Sequence, residues 1–194
     1  MNFSDQLKSQ TLARHQNLEK LLMQKMRSVN SVQDYLQILS WFYSFFGSLE
    51  ILVNNFIRSS ELEDYLQRRK ASNLKNDILY FKGTCPELAS GMELPLIQNW
   101  EEALGALYVM EGSTLGGPII AGLMRRQLDW AGKEGFSFFE CYGDNTQAMW
   151  LRFKSALNSK ITADEQKQCV IRVADDTFGK FERFIVNNRH LNTR

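Results

Sequence analysis

The stretch ALGALYVMEGSTLGGPIIAGLMRR, residues Ala103–Arg126, decides how the fold of this chain is interpreted. It is apolar enough for a buried helix, yet it contains a proline and five glycines: Pro118, Gly105, Gly112, Gly116, Gly117 and Gly122. An interior glycine costs a helix about 1 kcal/mol relative to alanine, and an interior proline costs about 3 kcal/mol. The usual gains that offset such costs are a kink and a bare backbone surface that a flat molecule can approach.

The sequence of residues Gly112–Gly117 suggests three interpretations. A phosphate-binding loop requires Lys followed by Ser or Thr after its last glycine, and Pro118 stands there instead, so this one is excluded. A seam of close helix–helix packing and a kinked helix lying over a planar ligand both remain open. Pro118 lacks an N–H and clashes with the chain one turn earlier, near Thr114, so the bend is predicted across Gly112–Gly117.

The rest of the chain predicts helices, because no β-branched run alternates with period two. We therefore expect one all-α domain over residues 1–194, with a loop at Gly132–Gly143. The predicted helices run from a Ser4 cap to about Met26, from Ser31 through the following apolar run, over Ser60–Arg69, Asn73–Phe81, Asn99–Trp130 and Asn145–Leu157, and from a Thr162–Glu165 capping box to about Asn187.

Composition excludes several classes of function. The net charge of +1 gives no nucleic-acid or membrane footprint, and the polar N-terminus lacks the apolar core of a signal peptide. Polar residues interrupt the apolar run Tyr35–Ile57, which indicates a buried helix with an aromatic core instead of a membrane span. The three cysteines have no metal or disulfide spacing and suit a reducing compartment, so a cytoplasmic protein is predicted.

A second group of residues lies on the first predicted helix. Lys8, Thr11, His15 and Glu19 are spaced by three and four residues and therefore share one helical face. On residue evidence alone, a histidine here is more often a surface or core residue than a ligand. The other histidine, His190, lies in a C-terminal tail that is expected to fray. If His15 does bind a metal, Glu19 could orient its ring and Lys8 could meet an acidic group of the ligand.

Together these segments resemble the haem oxygenase family, and most closely its bacterial branch. Residues Tyr108–Gly117 read YVMEGSTLGG, a near-signature of the distal helix in that branch. The N-terminal family pattern is met by Leu7, Lys8, Thr11, His15 and Glu19. Weaker matches in the expected order extend the resemblance from about residue 5 to 187: Phe138-Phe139-x-x-Tyr142-Gly143, Trp150 with Phe153, and Thr177-Phe178 with Phe181 and Phe184.

The resemblance implies a haem-oxygenase-like helical bundle with a kinked, glycine-rich distal helix. It also implies that haem is both substrate and cofactor and is cleaved at a meso carbon to biliverdin, CO and ferrous iron. The reaction requires O₂ and electrons. The sequence has no flavin, nicotinamide or iron–sulfur motif, so an external ferredoxin, flavodoxin or reductase is expected as donor.

Roles for single residues also follow from the resemblance. His15 corresponds to the proximal iron ligand and Glu19 to the residue that contacts its imidazole. Gly112 and Gly116, with Gly117 beside them, correspond to the glycines whose backbone lies against the distal haem face. The remaining matches are Lys8 and Lys154 near the propionates (with Arg152 as the alternative to Lys154), Tyr108 and Tyr142 at the propionate edge or a distal water, and Ser113.

Ser113 marks a departure from the animal enzymes, which have an aspartate at this position to anchor a water molecule. Bacterial members commonly share the serine. Proton delivery is therefore expected to rely on ordered water and backbone groups, and Ser113 is not assigned as a catalytic acid.

Three alternatives stay open on the sequence. One is a haem-binding or storage protein of the same fold without turnover, although the intact EGSTLGG argues against it. The second is a thiaminase-like fold relative, which would need a catalytic cysteine with carboxylate partners. The third is a structural or interaction protein. The charge runs Arg68-Arg69-Lys70 and Arg125-Arg126 are expected to be solvated faces, or else a docking patch for an acidic electron donor.

Overall fold

A computed structural model describes residues 2–188, which exclude His190, and over that range the chain is helical without any strand. This confirms the all-α prediction. The helices are α1 (Phe3–Arg27), α2 (Val32–Asn54), α3 (Ser72–Tyr80), α4 (Trp100–Gly112), α5 (Gly117–Gln127), α6 (Thr146–Lys160) and α7 (Asp164–Asn187). Short 3₁₀ turns occur at Tyr65–Gln67, Gly91–Glu93, Ser113–Gly116 and Gly143–Asn145.

The first helix is capped by Asn2, so the predicted Ser4 cap is wrong. The Asn2 side chain accepts a 3.0 Å hydrogen bond from the backbone N–H of Asp5. Ser4 is buried instead, and its N–H donates to Oδ1 of Asn158 at 2.8 Å, which ties α1 to α6. The cap of α2 is the predicted one, because Ser31 accepts from the N–H of Asp34.

The predicted capping box at the last helix is also wrong, although the helix itself is confirmed. α7 begins at Asp164, and the side chain of Gln166 accepts 3.3 Å bonds from the N–H groups of Thr162 and Ala163. A glutamine with the same reach one residue later therefore fills the place that the sequence suggested for Glu165.

The segment predicted as a helix over Ser60–Arg69 contains only the 3₁₀ turn Tyr65–Gln67. Arg68 adopts an extended backbone (φ −73°, ψ 153°), and this turns both Arg68 and Arg69 into the protein. They are only 3% and 8% exposed, so the interpretation of this charge run as a solvated face or docking patch is wrong for these two residues. Their burial is the physical reason that a regular surface helix does not form.

The helix predicted over Asn99–Trp130 is broken where the sequence indicated. α4 ends at Gly112, a 3₁₀ turn follows over Ser113–Gly116, and α5 begins at Gly117. Pro118 lies in the first turn of α5, where its missing N–H has no intrahelical partner to lose. The glycine-rich segment is therefore two helices joined by a tight turn.

Packing around α2 and α7 forms the core. α2 is long and apolar enough to cross a membrane by length and composition, but most of it is buried within the bundle. Its Phe45 ring stacks on Phe181 of α7 at 4.8 Å between centroids. α4 packs closely on α7 at Gly105, where an added Cβ would lie 2.6 Å from the carbonyl oxygen of Val170. Gly105 therefore lets these two helices approach each other closely.

Candidate active site

A cavity of about 510 Å³ lies among α1, α2, the α4–α5 junction, α6 and α7. Its size falls in the range typical of small-molecule sites, and its lining is mostly apolar with a few polar groups. Eight of the residues proposed from the sequence border it: Lys8, His15, Glu19, Tyr108, Gly112, Ser113, Gly116 and Lys154. Gly117 and Tyr142 lie outside the lining.

The glycines of the α4–α5 junction serve two different purposes. A Cβ on Gly116 would meet nothing within 4 Å, and one on Gly112 would meet only the Trp150 ring, at 3.7 Å. A Cβ on Gly117 would lie 2.0 Å from the carbonyl oxygen of Phe139. Gly112 and Gly116 therefore leave bare backbone at the cavity, whereas Gly117 lets the junction pack against the Phe136–Tyr142 segment.

α1 presents His15 to the same cavity. The residue is solvent-exposed, and its ring centroid lies 5.3 Å from that of Phe178 on α7, at a tilt of 40°. Glu19 follows one turn later and also borders the cavity. Among the hydrogen bonds of residues 2–188, none joins these two side chains. His15 thus offers an imidazole supported on one side by an aromatic ring.

The cavity has two cations at its border. Lys8 on α1 is exposed, and Lys154 on α6 is half-buried. Arg152, the alternative to Lys154, is exposed and absent from the lining, and its guanidinium lies 4.0 Å from the Met149 sulfur. The geometry therefore favours Lys154 over Arg152 as the cation of α6 that would contact an acidic ligand in the cavity.

Tyr108 and Trp150 form an aromatic part of the cavity wall, with ring centroids 5.4 Å apart. Burial raises the pKa of the Tyr108 hydroxyl, and a hydrogen bond with the Thr11 side chain opposes that rise. Tyr108 is therefore neutral at physiological pH and serves as a polar group on an otherwise apolar wall.

Behind the 3₁₀ turn Ser113–Gly116 (the distal turn) lies a buried polar network that was not predicted from the sequence. Arg68 donates to the Glu111 carboxylate at 2.7 Å and to Asp64 at 2.8 Å. Arg69 donates through Nη2 to the Ser113 hydroxyl at 2.6 Å. A signal was available in the sequence, because a carboxylate at Glu111, inside an apolar helix, requires a buried cation as partner.

Tyr142 belongs to this network and not to the cavity wall. Its hydroxyl accepts a 2.6 Å bond from the N–H of Arg69 and donates to the Glu111 carboxylate at 3.1 Å. Burial, followed by the negative charge of Glu111, raises the pKa of Tyr142 well above its ordinary value. The hydroxyl is therefore a fixed structural donor.

The second charge run does not form an open basic patch either. Arg125 pairs with Glu140 in a bidentate ion pair at 2.5 and 2.8 Å, and its guanidinium lies 4.4 Å from the Phe136 ring centroid. Of the two arginines in this charge run, only Arg126 is exposed. The docking-patch interpretation is thus wrong for Arg125, whose charge holds the Gly132–Tyr142 segment against α5.

Comparisons with solved structures give the same fold. The chain is similar to the NO- and CO-bound haem oxygenase from Neisseria meningitidis, with a TM-score of 0.82, 20% identity, and coverage of 100% of this chain and 94% of that one. It is also similar to the haem oxygenase from Leptospira interrogans, with a TM-score of 0.76, 19% identity, and coverage of 96% of this chain and 100% of that one. A third similar structure is that of haem oxygenase 2 from Chlamydomonas reinhardtii without haem, with a TM-score of 0.78, 15% identity, and coverage of 100% of both chains.

No curated protein sequence matches this chain. The sequence model of one protein family does, and its description is heme oxygenase. The match covers residues 1–187, which include every helix and every cavity residue described above. The chain therefore belongs to the haem oxygenase family, whose activity is the degradation of haem.

Proposed function

We propose that this protein binds haem between His15 and the α4–α5 junction and cleaves it at a meso carbon to biliverdin, CO and ferrous iron. One observation carries the proposal. His15 on α1 and the bare backbone of Gly112 and Gly116, about a hundred residues later, border one cavity. An axial ligand and a wall without side chains are what a flat, metal-containing substrate requires.

The residues present fit haem. The His15 imidazole would take the proximal position, with Phe178 restricting its ring and Glu19 within the same cavity. The side-chain-free surface at Gly112 and Gly116 would lie along the opposite face. When bound, haem supplies both the iron that activates O₂ and the ring that is oxidised.

The chain itself contributes position and shape. Lys8 and Lys154 would pair with the two propionate groups and fix the rotation of the ring in its plane. The backbone at Gly112 and Gly116 keeps side-chain atoms out of the adjoining part of the cavity. Buried aromatic and aliphatic residues around it, among them Phe42, Phe46 and Phe181, exclude bulk water from the interior end.

Electrons would come from a separate ferredoxin, flavodoxin or reductase, since the sequence has no redox motif of its own. Arg68, Arg69 and Arg125 would contribute little to a docking surface for that donor, since their guanidinium groups are already engaged within the protein. A cytoplasmic location would suit such a donor and the three free cysteines.

A single-turnover absorbance experiment tests the proposal. Haemin is added to the purified protein, then ascorbate or a ferredoxin system in air, alongside His15→Ala and the neighbouring surface control Gln16→Ala. We expect a Soret band that decays into a broad biliverdin absorption in the wild type and in Gln16→Ala.

His15→Ala should lose the Soret band and, with it, the turnover. Added imidazole should restore the Soret band in part. A stable, His15-dependent Soret band without decay would instead indicate a haem carrier. A Soret band unchanged by His15→Ala would remove His15 as the iron ligand.

A further inference from the structure

Arg69 contacts the distal turn from within the protein. It lies outside the cavity lining, is 8% exposed, and uses both hydrogens of Nη2. One donates to the Ser113 hydroxyl oxygen at 2.6 Å and the other to the carbonyl oxygen of Met110 at 2.5 Å. Ser113, unlike Arg69, borders the cavity. Ser113 thus connects the buried Arg69 to the border of the cavity.

The Ser113 hydroxyl has an unusual pair of neighbours. It donates its own hydrogen to the Met110 carbonyl at 2.7 Å, and the same carbonyl accepts from Arg69. A carbonyl in the last turn of a helix needs at least one partner, and Arg69 supplies it independently of Ser113. The Ser113 hydrogen is therefore free to turn toward the cavity without leaving the Met110 carbonyl unpaired.

The charge of Arg69 is not used in an ion pair. Within residues 2–188, no carboxylate pairs with it, whereas neighbouring Arg68 pairs with Glu111 and Asp64. The Arg69 guanidinium lies 3.9 Å from the Phe138 ring centroid, and its Nη1 is buried without a hydrogen-bond partner among the described residues. An unpaired buried charge is costly, and such costs are typically retained where the charge has a function.

We propose that Arg69 is a positioning residue that turns Ser113 into a hydrogen-bond donor for a negatively charged ligand on the distal face of haem. The proposal rests on the proposed haem site and adds to it a charged residue from the loop before α3. With Arg69 in place, the positive charge polarises the Ser113 hydroxyl, and the second donor on Met110 permits its rotation. Negative charge that develops on the distal side is stabilised by the same arrangement.

Ligand affinities of the haem-loaded protein test this without turnover. Fluoride binding to the ferric form reports on hydrogen bonding to an anion, and CO binding to the ferrous form reports on a neutral ligand at the same position. We expect Ser113→Ala and Arg69→Met each to weaken fluoride binding about ten-fold, the usual effect of losing a hydrogen bond to a charged group. CO affinity should stay within about two-fold, since CO is a weak acceptor.

Two further variants separate a charge effect from a packing effect. Arg69→Lys keeps the charge and should retain most of the fluoride affinity. The double variant Ser113→Ala with Arg69→Met should lose no more fluoride affinity than the single variant with the larger loss, because both substitutions act through one hydrogen bond. Arg126→Met, an exposed arginine, is the control and should leave both affinities unchanged.

Unchanged fluoride affinity in Ser113→Ala overturns the proposal, and so does a loss in Ser113→Ala that Arg69→Met does not share. If Arg69→Met fails to fold, a crystal structure of the fluoride complex decides the matter. The proposal requires Ser113 Oγ within hydrogen-bonding distance of the bound fluoride and Arg69 still on the Met110 carbonyl. Failure of the haem site itself would appear separately, as the absence of a His15-dependent Soret band.

Discussion

The ring of Trp150 lies 3.7 Å from the position that a Cβ atom would take on Gly112. This distance is an ordinary van der Waals contact, so the wall of the cavity tolerates one added carbon at Gly112 and little more. Trp150 and Gly112 thus limit the cavity at this point, Trp150 through its ring and Gly112 through its lack of a side chain.

Gly112→Ala and Gly112→Leu should therefore differ sharply. The alanine variant should bind haem within about three-fold of the wild type and gain up to about 1 kcal/mol of helix stability. The leucine variant should fold but lose turnover, because its Cγ and Cδ atoms extend into the cavity. Soret titration and single-turnover assays measure both effects. A Gly112→Leu protein that turned over at the wild-type rate would show that this backbone does not border the reacting face.

Gly116→Ala and Gly117→Ala form a matched pair for stability. The Gly117 variant places a carbon 2.0 Å from the Phe139 carbonyl oxygen, so it should lower the free energy of unfolding by about 1–3 kcal/mol or more. The Gly116 variant meets nothing within 4 Å and should change it by less than about 1 kcal/mol. Denaturant unfolding measures both, and equal effects would contradict the close approach of the two segments.

Glu111→Ala should be among the most destabilising single substitutions. It would leave the Arg68 guanidinium, whose side chain is 1% exposed, with only Asp64 as a charged partner. Removing one partner of a buried pair typically costs about 3–5 kcal/mol. Lys167→Ala, which breaks the exposed pair with Asp164, serves as control and should cost less than about 1 kcal/mol. Chemical denaturation with both variants checks the contrast.

Lys154→Met should weaken haem binding by about two- to five-fold, the scale of a partly exposed ion pair. The matched control is Arg152→Met, which removes a cation from the same helix but away from the cavity. Haem affinity should respond to Lys154 and not to Arg152, and raising the salt concentration should reduce the difference. A larger effect of Arg152→Met would exchange the roles of the two residues.

Cys141 should resist alkylation in the folded protein. Burial raises the pKa of its thiol to about 11, so at pH 8 the thiolate fraction is about one in a thousand. Iodoacetamide should react about two orders of magnitude more slowly than with a free cysteine, and denaturant should remove the difference. Cys141→Ser identifies the signal in mass spectrometry.

The same shift of the Cys141 pKa has a defined sign for stability. The thiol is neutral in the folded state up to about pH 11 but ionises near pH 8.5 when unfolded, so its contribution to stability is lost as the pH rises between these values. Stability that instead rose over this range in the wild type, relative to Cys141→Ser, would contradict the burial of the thiol.

The sequence indicated the fold and the break at Gly112–Gly117 because local signals determine both. Helical periodicity, glycine and proline act within a few residues, and the break fell where they predicted it. Caps were less predictable, since Asn2 and Gln166 compete with Ser4 and Glu165 at nearly equal cost. The haem site proposed at His15, Lys8 and Lys154 rests on family resemblance, and the structure brings these residues to one cavity.

The buried arginines could not be read from local pattern. A run of Arg68-Arg69-Lys70 is usually solvated, and the distant Glu111 accounts for the burial of Arg68 but not for that of Arg69. The position of Tyr142 is hard to predict for a similar reason, because its sequence motif shows an aromatic residue near the site but not which side of the distal turn it supports. These two tertiary contacts join residues that are 43 and 73 positions apart.

A wall built from main chain can be altered only by addition. Any substitution at Gly112 or Gly116 introduces atoms into the cavity, and none can remove any, so at this wall the accessible space is already at its upper limit. A larger tetrapyrrole could be admitted only by trimming the side chains elsewhere around the rim, such as Trp150, Leu115 or Ile119. Attempts to broaden the substrate range therefore belong on those side chains, and the two glycines are positions to leave fixed.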